Sequence, residues 1–243
     1  MQAIKILSVI IAIFIGIAII FYGALYFMYS SPLTVSDFKD TEKIDNINLR
    51  ANETAGSVDS NINVYVTLYN ADNEAKKIPD GDTISLNGVT MIPVFHKSNG
   101  VTSSRYVYEV TTRKSQILTL SIKRANGEEI VKSIKSFDFK ADLPTQISRS
   151  KIFSLPYTSS GTTQEALHYS VSIDSLSISA YSSVMDNKNQ LILNKEKIMG
   201  LKIGKVVLNV AAIYQQDQDL VNGNNKFHGS YSIGYKKVIE IIK

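Results

Sequence analysis

The stretch Ile62-Asn63-Val64-Tyr65-Val66-Thr67-Leu68-Tyr69, residues 62–69, decides the fold class. Apolar and polar side chains alternate along it, and Ile62, Val64, Val66 and Leu68 share one side. Successive side chains of a strand point to opposite faces, so this period of two predicts a strand with one face buried.

The same alternation recurs downstream, in residues 106–110, 118–122, 167–173, 176–180, 206–212 and 231–235. Asn-Gly dipeptides, which suit type I′ hairpin turns, begin at residues 87, 99, 126 and 222. The only helical signal after residue 60 is one short turn within residues 194–201. Short strands separated by turns predict a mainly β body, built as an antiparallel β-sandwich or barrel.

A domain boundary is expected near residues 140–150, where Pro144 follows a strand-like run. Division there gives residues 61–143 and 144–243, each close to the size of one immunoglobulin-like domain. Two tandem immunoglobulin-like β-sandwiches are therefore the first prediction. One larger β-domain is the alternative.

The N-terminal segment 6–29 predicts one transmembrane helix, because its 24 residues include no charge and no proline. As a helix it would be roughly 36 Å long, enough to cross a hydrocarbon core of about 30 Å. It exceeds the apolar region of about 7–15 residues in a cleaved signal, and no small-residue cleavage motif follows it. We expect an uncleaved anchor between a short cytoplasmic terminus (1–5) and a stalk or linker (30–60), part of which can add a short strand to the body.

The orientation of this anchor follows from its flanks. Lys5 and the amino terminus precede it, and acidic residues predominate after it, which favours a cytoplasmic N-terminus. Tyr22, Tyr26 and Tyr29 form a predicted interface belt at the outer end. The predicted location is the plasma (inner) membrane, in contact with the lipid bilayer, with the body periplasmic or extracellular.

Small residues at Ser8, Ala12, Gly16 and Gly23 fall on one face of the predicted helix. Such stripes let two transmembrane helices approach closely, so these residues are candidates for helix packing with a second copy or a partner subunit. Glycine and alanine are also common in membrane spans without any such contact, and that reading stays open.

Composition excludes several classes of protein. Without cysteine, the chain has no disulfide scaffold, thiolate metal site, cysteine nucleophile or lipoprotein anchor. The net charge of +4 is spread along the chain rather than gathered in a stripe, so no nucleic-acid partner is expected.

The sequence predicts no catalytic residue, cofactor or metal site. His96, His168 and His228 lie far apart and lack metal-ligand spacing, and His168 is expected to be exposed on a strand. Hydrolase-elbow, phosphate-loop and dinucleotide motifs are missing. A loop containing Asp217 and Asp219 is kept as a weak candidate for calcium.

These features favour a non-catalytic binding or accessory subunit of a cell-envelope assembly. A protein partner or self-association, through the helix and the β-domains, is expected. The alternative is a pilin-like subunit of a surface filament, with the apolar helix in the filament core. An envelope hydrolase is the least supported hypothesis, because no catalytic motif is present. It stays open, because catalytic groups need not be close in sequence.

The anchor and the filament hypotheses predict different mature N-termini. An uncleaved anchor predicts that mass spectrometry of the membrane fraction finds the chain beginning at Met1. Removal of residues 1–5, together with polymers in the sheared supernatant, would instead establish the filament subunit.

Overall fold

The computed structural model describes residues 44–55, 61–71, 75–96, 105–163, 166–174, 176–178, 180–185, 188–220 and 226–243. The transmembrane helix predicted at 6–29 and the terminus at 1–5 lie outside these ranges. No helix in the described ranges has the length and apolar character needed to cross a bilayer.

The described chain is mainly β. Its elements are β1 (Asn46–Thr54), β2 (Asn61–Tyr69), β3 (Ala75–Lys76), β4 (Thr83–Leu86), β5 (Val89–Thr90), β6 (Ile92–His96), β7 (Arg105–Arg113), β8 (Ile117–Lys123), β9 (Glu129–Lys135), β10 (Asp138–Ala141), β11 (Gln146–Ser148), β12 (Ser154–Ser160), β13 (Leu167–Ile173), β14 (Leu176–Ile178), β15 (Ala180–Met185), β16 (Lys188–Leu193), α1 (Lys195–Met199), β17 (Gly204–Asp219) and β18 (Lys226–Ile242).

These strands form three sheets. A ten-stranded sheet has the order β14-β13-β17-β18-β1-β2-β7-β6, with β11 added to β18 and β3 added to β2. Two four-stranded sheets have the orders β5-β4-β8-β9 and β10-β12-β16-β15. Among the described strands, the pairings are antiparallel except β1 with β18 and β11 with β18. The prediction of a mainly β, antiparallel body is therefore confirmed.

Alternation of side chains accounts for these strands. Ile62, Val64, Val66 and Leu68 of β2 are each 0% exposed, as predicted from their shared side. Their neighbours in the strand face the other way, and most are only partly buried or exposed. The apolar half of each pattern thus forms the core and the polar half faces outward.

Two of the predicted Asn-Gly turns lie within the described chain. Asn87 and Gly88 have φ angles of 49° and 80° and join β4 to β5 as a two-residue turn, as type I′ geometry requires. The turn at Asn126-Gly127 is longer, because the β8–β9 ladder closes at Lys123 and Glu129. The one predicted helical turn is α1, which Asn194 caps by accepting from the backbone N–H of Lys197.

The strand that the predicted stalk could contribute is β1, a central strand of the largest sheet. It lies between β18 and β2 and buries Ile47, Leu49 and Ala51. Its sequence is rich in asparagine because its other side chains face solvent. The folded body therefore begins no later than Ile44 rather than at residue 61.

The hairpin of β17 and β18 connects the two predicted halves of the body. Residues 226–234 of β18 pair in parallel with β1, and residues 240–242 pair in parallel with β11. β17 pairs with β18 along its whole length and with β13 on its other side. One continuous sheet thus includes strands from both sides of residue 143, and the division into two domains there stays a prediction.

The two smaller sheets pack on the inner face of the large sheet. Phe137, between β9 and β10, makes edge-on contacts with Tyr214 and Tyr231 at centroid distances of 6.3 and 5.7 Å. Phe139 of β10 contacts Tyr235 of β18 at 5.9 Å. A single cluster of buried side chains includes members of all three sheets.

Close packing at Gly229 of β18 predicts a stability effect. A Cβ at this position would overlap Cγ2 of Ile134 and lie 2.9 Å from Cε1 of Phe227. Because both neighbours are buried, we expect Gly229→Ala to lower the free energy of unfolding by about 1–3 kcal/mol. The urea midpoint of the purified protein measures this change.

Gly234→Ala, on the same strand, is the matched control. The nearest atom to a Cβ at Gly234 is the Glu53 carbonyl oxygen, at 4.0 Å. We expect its midpoint to stay close to that of the wild type. Equal midpoints for the two variants would contradict the tight contact between β9 and β18.

Candidate functional site

The predicted helix-packing residues Ser8, Ala12, Gly16 and Gly23 lie outside the described residues, as do the interface-belt residues Tyr22, Tyr26 and Tyr29. These predictions stay predictions. The polar and charged side chains that the structure describes all belong to the β body, from Ile44 onward.

The prediction that Asp217 and Asp219 lie in a loop, where they were a candidate for calcium, is wrong as to the loop. Both residues belong to β17, and the Asp217 carboxylate contacts Nδ1 of His228 at 3.0 Å. A straight strand places their side chains along one face instead of wrapping them around an ion. In the part of the chain that the structure describes, no group of three His, Asp or Glu side chains is placed to hold a metal ion.

His168 is exposed on β13, as predicted, and lies opposite Ile213 of β17. His228 and Asp217 come together on neighbouring strands, with Ser230 two residues beyond His228 on the same face. The Ser230 hydroxyl donates to the carbonyl oxygen of Leu49 at 3.5 Å rather than to His228. A serine nucleophile needs a base within hydrogen-bond distance, so these three residues lack the geometry of a catalytic triad.

A cluster of titratable groups ties together four strands of the body. Lys114, which follows β7, lies 2.9 Å from the Glu53 carboxylate of β1 and 2.8 Å from the Asp138 carboxylate of β10. The Tyr231 hydroxyl of β18 donates to Glu53 at 2.8 Å. We refer to Glu53, Lys114, Asp138 and Tyr231 as the ionic cluster.

The electrostatics of the ionic cluster favour a structural role. Burial opposes the charge of Lys114, but hydrogen bonds and charges from Asp138 and Glu53 raise its pKa. The hydrogen bond from Lys114 lowers the pKa of Asp138, and burial followed by the bond to Glu53 raises the pKa of Tyr231. A general base works best with a pKa near the working pH. Here the lysine stays protonated and the tyrosine stays neutral, so each holds its partners in place.

A broad polar surface lies on the side of the ten-stranded sheet opposite the core. We call it the outer face, and it comprises the outward side chains of β17, β18, β1, β2 and β7. Strand register aligns Gln215, Ser230, Arg50, Tyr65 and Glu109 in a line across these five strands. We call this line the central row.

Two further lines flank the central row. On one side Asp217, His228, Asn48 and Thr67 occupy successive strands. On the other side the register gives Ile213, Ser232, Asn52, Asn63 and Thr111. Across the two lines, amide and hydroxyl side chains predominate, and Arg50 lies at the centre of the pattern.

Two of the depressions on the outer face adjoin β1. The first, of about 480 Å³, lies over β17, β18 and β1, and the second, of about 320 Å³, lies over β1, β2 and β7. Both are lined by Asn48, Arg50 and Asn52 of β1. Their volumes fall at the lower end of the range of about 300–1,000 Å³ for ligand sites. The outward side chains of β1 therefore form the wall that these two depressions share.

Hydrogen bonds within the outer face orient its amides. Arg50 Nε donates to Oδ1 of Asn48 at 3.4 Å, and the Ser232 hydroxyl donates to Oδ1 of Asn52 at 2.7 Å. The Thr111 hydroxyl likewise donates to Oδ1 of Asn63 at 2.8 Å. Because the amide oxygens accept from neighbours, the amide N–H groups are left to donate to a ligand.

Arg50 carries a charge that the protein does not neutralise locally. Among the described carboxylates, none lies within ion-pair distance of its guanidinium, and its side chain is exposed. The hydroxyls of Tyr65 and Tyr69, on the neighbouring strand, likewise have no hydrogen-bond partner within the described chain. The outer face thus offers amide and hydroxyl donors and two tyrosine rings around Arg50. It also carries the carboxylates of Glu109, in the central row, and Asp217, in a flanking line.

Sequence reasoning placed β2 correctly but missed the outer face. The alternation in residues 62–69 correctly predicted that the polar side chains of β2 face solvent. Asn48, Arg50 and Asn52, however, belong to the range assigned to the stalk, and the pairing of β1 with β18 joins residues about 180 positions apart. The alternation of Ile47, Leu49 and Ala51 was the signal that could have revealed β1.

Comparisons with known protein families and with curated proteins find no family model and no relative that matches this chain. Its function is therefore inferred from the geometry of the described residues.

The ionic cluster predicts how stability depends on pH. In the unfolded chain, tyrosine and lysine titrate near about pH 10. The raised pKa values of Tyr231 and Lys114 in the folded protein mean that their contribution is fully present below that pH and is lost as the pH rises through the folded values. We expect urea midpoints to fall steeply above about pH 10, and Tyr231→Phe to make that fall shallower.

At neutral pH Tyr231→Phe loses one hydrogen bond to Glu53, which costs about 1 kcal/mol. Tyr69→Phe removes a hydroxyl from the outer face, remote from the cluster, and serves as the matched control. An alkaline slope for Tyr231→Phe that equals the slope of this control would contradict the role of Tyr231.

Proposed function

We propose that this chain is a single-pass, membrane-anchored protein that acts as a non-catalytic binding or accessory subunit of a cell-envelope assembly. Its outer face is the binding surface. The observation that carries this proposal is the central row, in which an exposed Arg50 that forms no ion pair with a described residue stands in line with Gln215, Ser230, Tyr65 and Glu109.

The construction of the outer face suits binding. Its side chains stand on strands about 4.8 Å apart and repeat about every 6.8 Å along each strand. A sheet that is packed on its other side holds these positions with little freedom, so a ligand loses little free energy in ordering them. Gln215, Arg50 and Asn52 are exposed at the same time and on the same face.

The division of the body into two domains is also part of the proposal. We infer two β-sandwiches of immunoglobulin-like size, residues 61–143 and 144–243, that share the large sheet. The range 61–143 supplies all four strands of one sheet in the opposing layer, and the range 144–243 supplies three of the four strands of the other, β12, β15 and β16. The shared hairpin of β17 and β18 would then hold the two sandwiches in one orientation.

The location rests on the sequence ahead of the described body. The apolar segment 6–29 is the proposed anchor in the plasma (inner) membrane, with the N-terminus cytoplasmic and the body periplasmic or extracellular. The stalk that remains between residue 30 and Ile44 is 14 residues long and reaches at most about 50 Å. The outer face therefore acts close to the membrane.

Blocking the outer face tests this function. Gln215→Trp places a bulky ring in the first depression without touching the core. We expect it to abolish the cross-linked complexes that the wild-type protein forms in its native membranes, because the partner loses access to the central row. Cross-linking in intact cells, followed by mass spectrometry of the products, measures this loss.

Thr158→Trp is the matched control, since Thr158 is exposed on β12, in a different sheet. We expect it to retain the wild-type cross-links. If Gln215→Trp also retains them, the outer face is not the binding surface.

A further inference from the structure

We propose that one end of the β body binds the surface of a bilayer that contains anionic lipids. We call this part of the body the basic end and define it by residues 146–152, 195–205 and 236–243. The inference goes beyond the proposed function, because it concerns a different part of the body, away from the central row, and a different partner. It rests on the proposed anchor only for the closeness of a bilayer.

Backbone contacts bring the three segments of the basic end together. The first residues of β17 pair with the last residues of β18, and Ser148 of β11 pairs with Ile242 on the other side of β18. The Arg149 guanidinium donates through Nε to the carbonyl oxygen of Met199, the last residue of α1, at 2.9 Å. The turn after β11, the helix α1 and the end of the β17–β18 ladder therefore meet at one end of the large sheet.

Folding gathers positive charge that is spread along the sequence. The three segments include nine lysine and arginine side chains and two glutamates, which gives them a net charge of +7, against +4 for the whole chain. None of the exposed lysines at the basic end forms an ion pair with a described residue. These lysines are Lys151, Lys195, Lys197, Lys202, Lys205, Lys236 and Lys243.

The carboxylates at this end of the body are fewer than the cations. Glu240 accepts from the Gln146 amide at 3.1 Å, and Asp174 accepts from a backbone N–H of β17 at 2.7 Å. Glu196 lies in α1, and Asp142 precedes the residue whose carbonyl oxygen accepts from a lysine of β18. Even with these four carboxylates the basic end stays positive, so it attracts an anionic surface within a Debye length of about 8 Å at physiological salt.

Large apolar side chains are exposed among these lysines. Half of the exposed large apolar side chains in the described part of the chain belong to the basic end: Ile152 (68% exposed), Val238 (63%), Ile203 (52%), Met199 (50%) and Ile242 (36%). A surface of this kind suits the headgroup region of a bilayer, because its apolar groups can enter the acyl boundary while its cations stay at the level of the anionic headgroups.

The composition of the basic end favours a bilayer over a protein or a nucleic acid. Protein interfaces are enriched in aromatic residues and depleted in lysine. Single-stranded nucleic acids stack their bases on aromatic side chains, and a phosphodiester backbone offers no apolar counterpart to aliphatic groups. At the basic end the exposed apolar side chains are isoleucine, methionine and valine, and eight of the nine cations are lysine.

The basic end is within reach of the bilayer that holds the proposed anchor. Asn46, where β1 begins, pairs with Lys226, and the basic end begins further along β18 at Lys236. At about 3.3 Å per residue this separation is roughly 33 Å, and the stalk reaches at most about 50 Å. A body that lies along the bilayer therefore brings the basic end onto it. Because the anchor keeps the body close, a weak affinity for lipid is enough to hold it there.

Fluorescence of the full-length protein in lipid nanodiscs tests the proposal. The chain has no cysteine, so Ile152→Cys can carry a single environment-sensitive fluorophore. Ile92→Cys on β6, where the side chain is 67% exposed, is the matched control. The discs contain either phosphatidylcholine alone or an equal mixture of phosphatidylcholine and phosphatidylglycerol. We expect emission from the label at 152 to shift to shorter wavelength in the anionic discs only, and emission from the label at 92 to be the same in both.

Removal of charge tests the cause of the shift. Each lysine near an anionic surface favours contact by roughly fivefold, so Lys202→Gln together with Lys205→Gln should lower the ratio of docked to free bodies by about twenty-fivefold. The emission spectrum of the label at 152 measures this loss. Arg113→Gln together with Lys123→Gln, an equal loss of charge at exposed positions of β7 and β8, should keep the shift.

An unshifted spectrum of the label at 152 in anionic discs would overturn the proposal. Equal shifts in the two kinds of disc, or an unchanged shift in the variant that lacks Lys202 and Lys205, would overturn it as well. A shift produced by polyglutamate but not by anionic discs would identify an acidic protein partner instead.

Elution of the protein with the neutral discs tests the anchor separately. If the protein does not elute with them, the anchor is wrong, but a shift on addition of anionic discs would still support lipid binding by the basic end. The outer face is tested independently by the cross-links of Gln215→Trp.

Discussion

The structure depends on β18, one strand of 17 residues that holds the large sheet together. On one side it pairs with all of β17, and on the other it pairs first with β1 and then with β11. The β1 partner lies about 180 residues earlier in the chain. The central ladder therefore forms only after nearly the whole chain has been made, and contacts of such long range are slow to form during folding.

The two faces of β18 serve different purposes. Its odd-numbered residues, among them Phe227, Tyr231 and Ile239, are buried against the smaller sheets. Its even-numbered residues His228, Ser230 and Ser232 belong to the outer face. Gly229 is the point where the opposing layer comes closest, and the ionic cluster at Tyr231 ties β1, β10 and β18 together nearby. The same strand thus contacts the opposing layers and supplies part of the outer face.

Local patterns in the sequence predicted most of the individual strands but not their arrangement. Alternation identified the buried residues of β2 and β8, and Asn87-Gly88 identified a hairpin turn, because these signals depend on near neighbours. The parallel pairing of β1 with β18 has no local signal, so Asn48, Arg50 and Asn52 were assigned to a stalk. Asp217 and Asp219 were interpreted as a loop because the strand around them is polar, and its inward residues are glutamines that bond to the next sheet.

The position of β1 has a mechanical consequence. A force applied to the chain ahead of Ile44 would run along the axis of β1, which is held by ladders on both sides. Since those hydrogen bonds lie roughly perpendicular to the strand, the load would shear many of them together instead of opening them one at a time. Forced unfolding is governed by the rate of crossing that barrier, so a pull on this end of the body would be resisted by many hydrogen bonds at once.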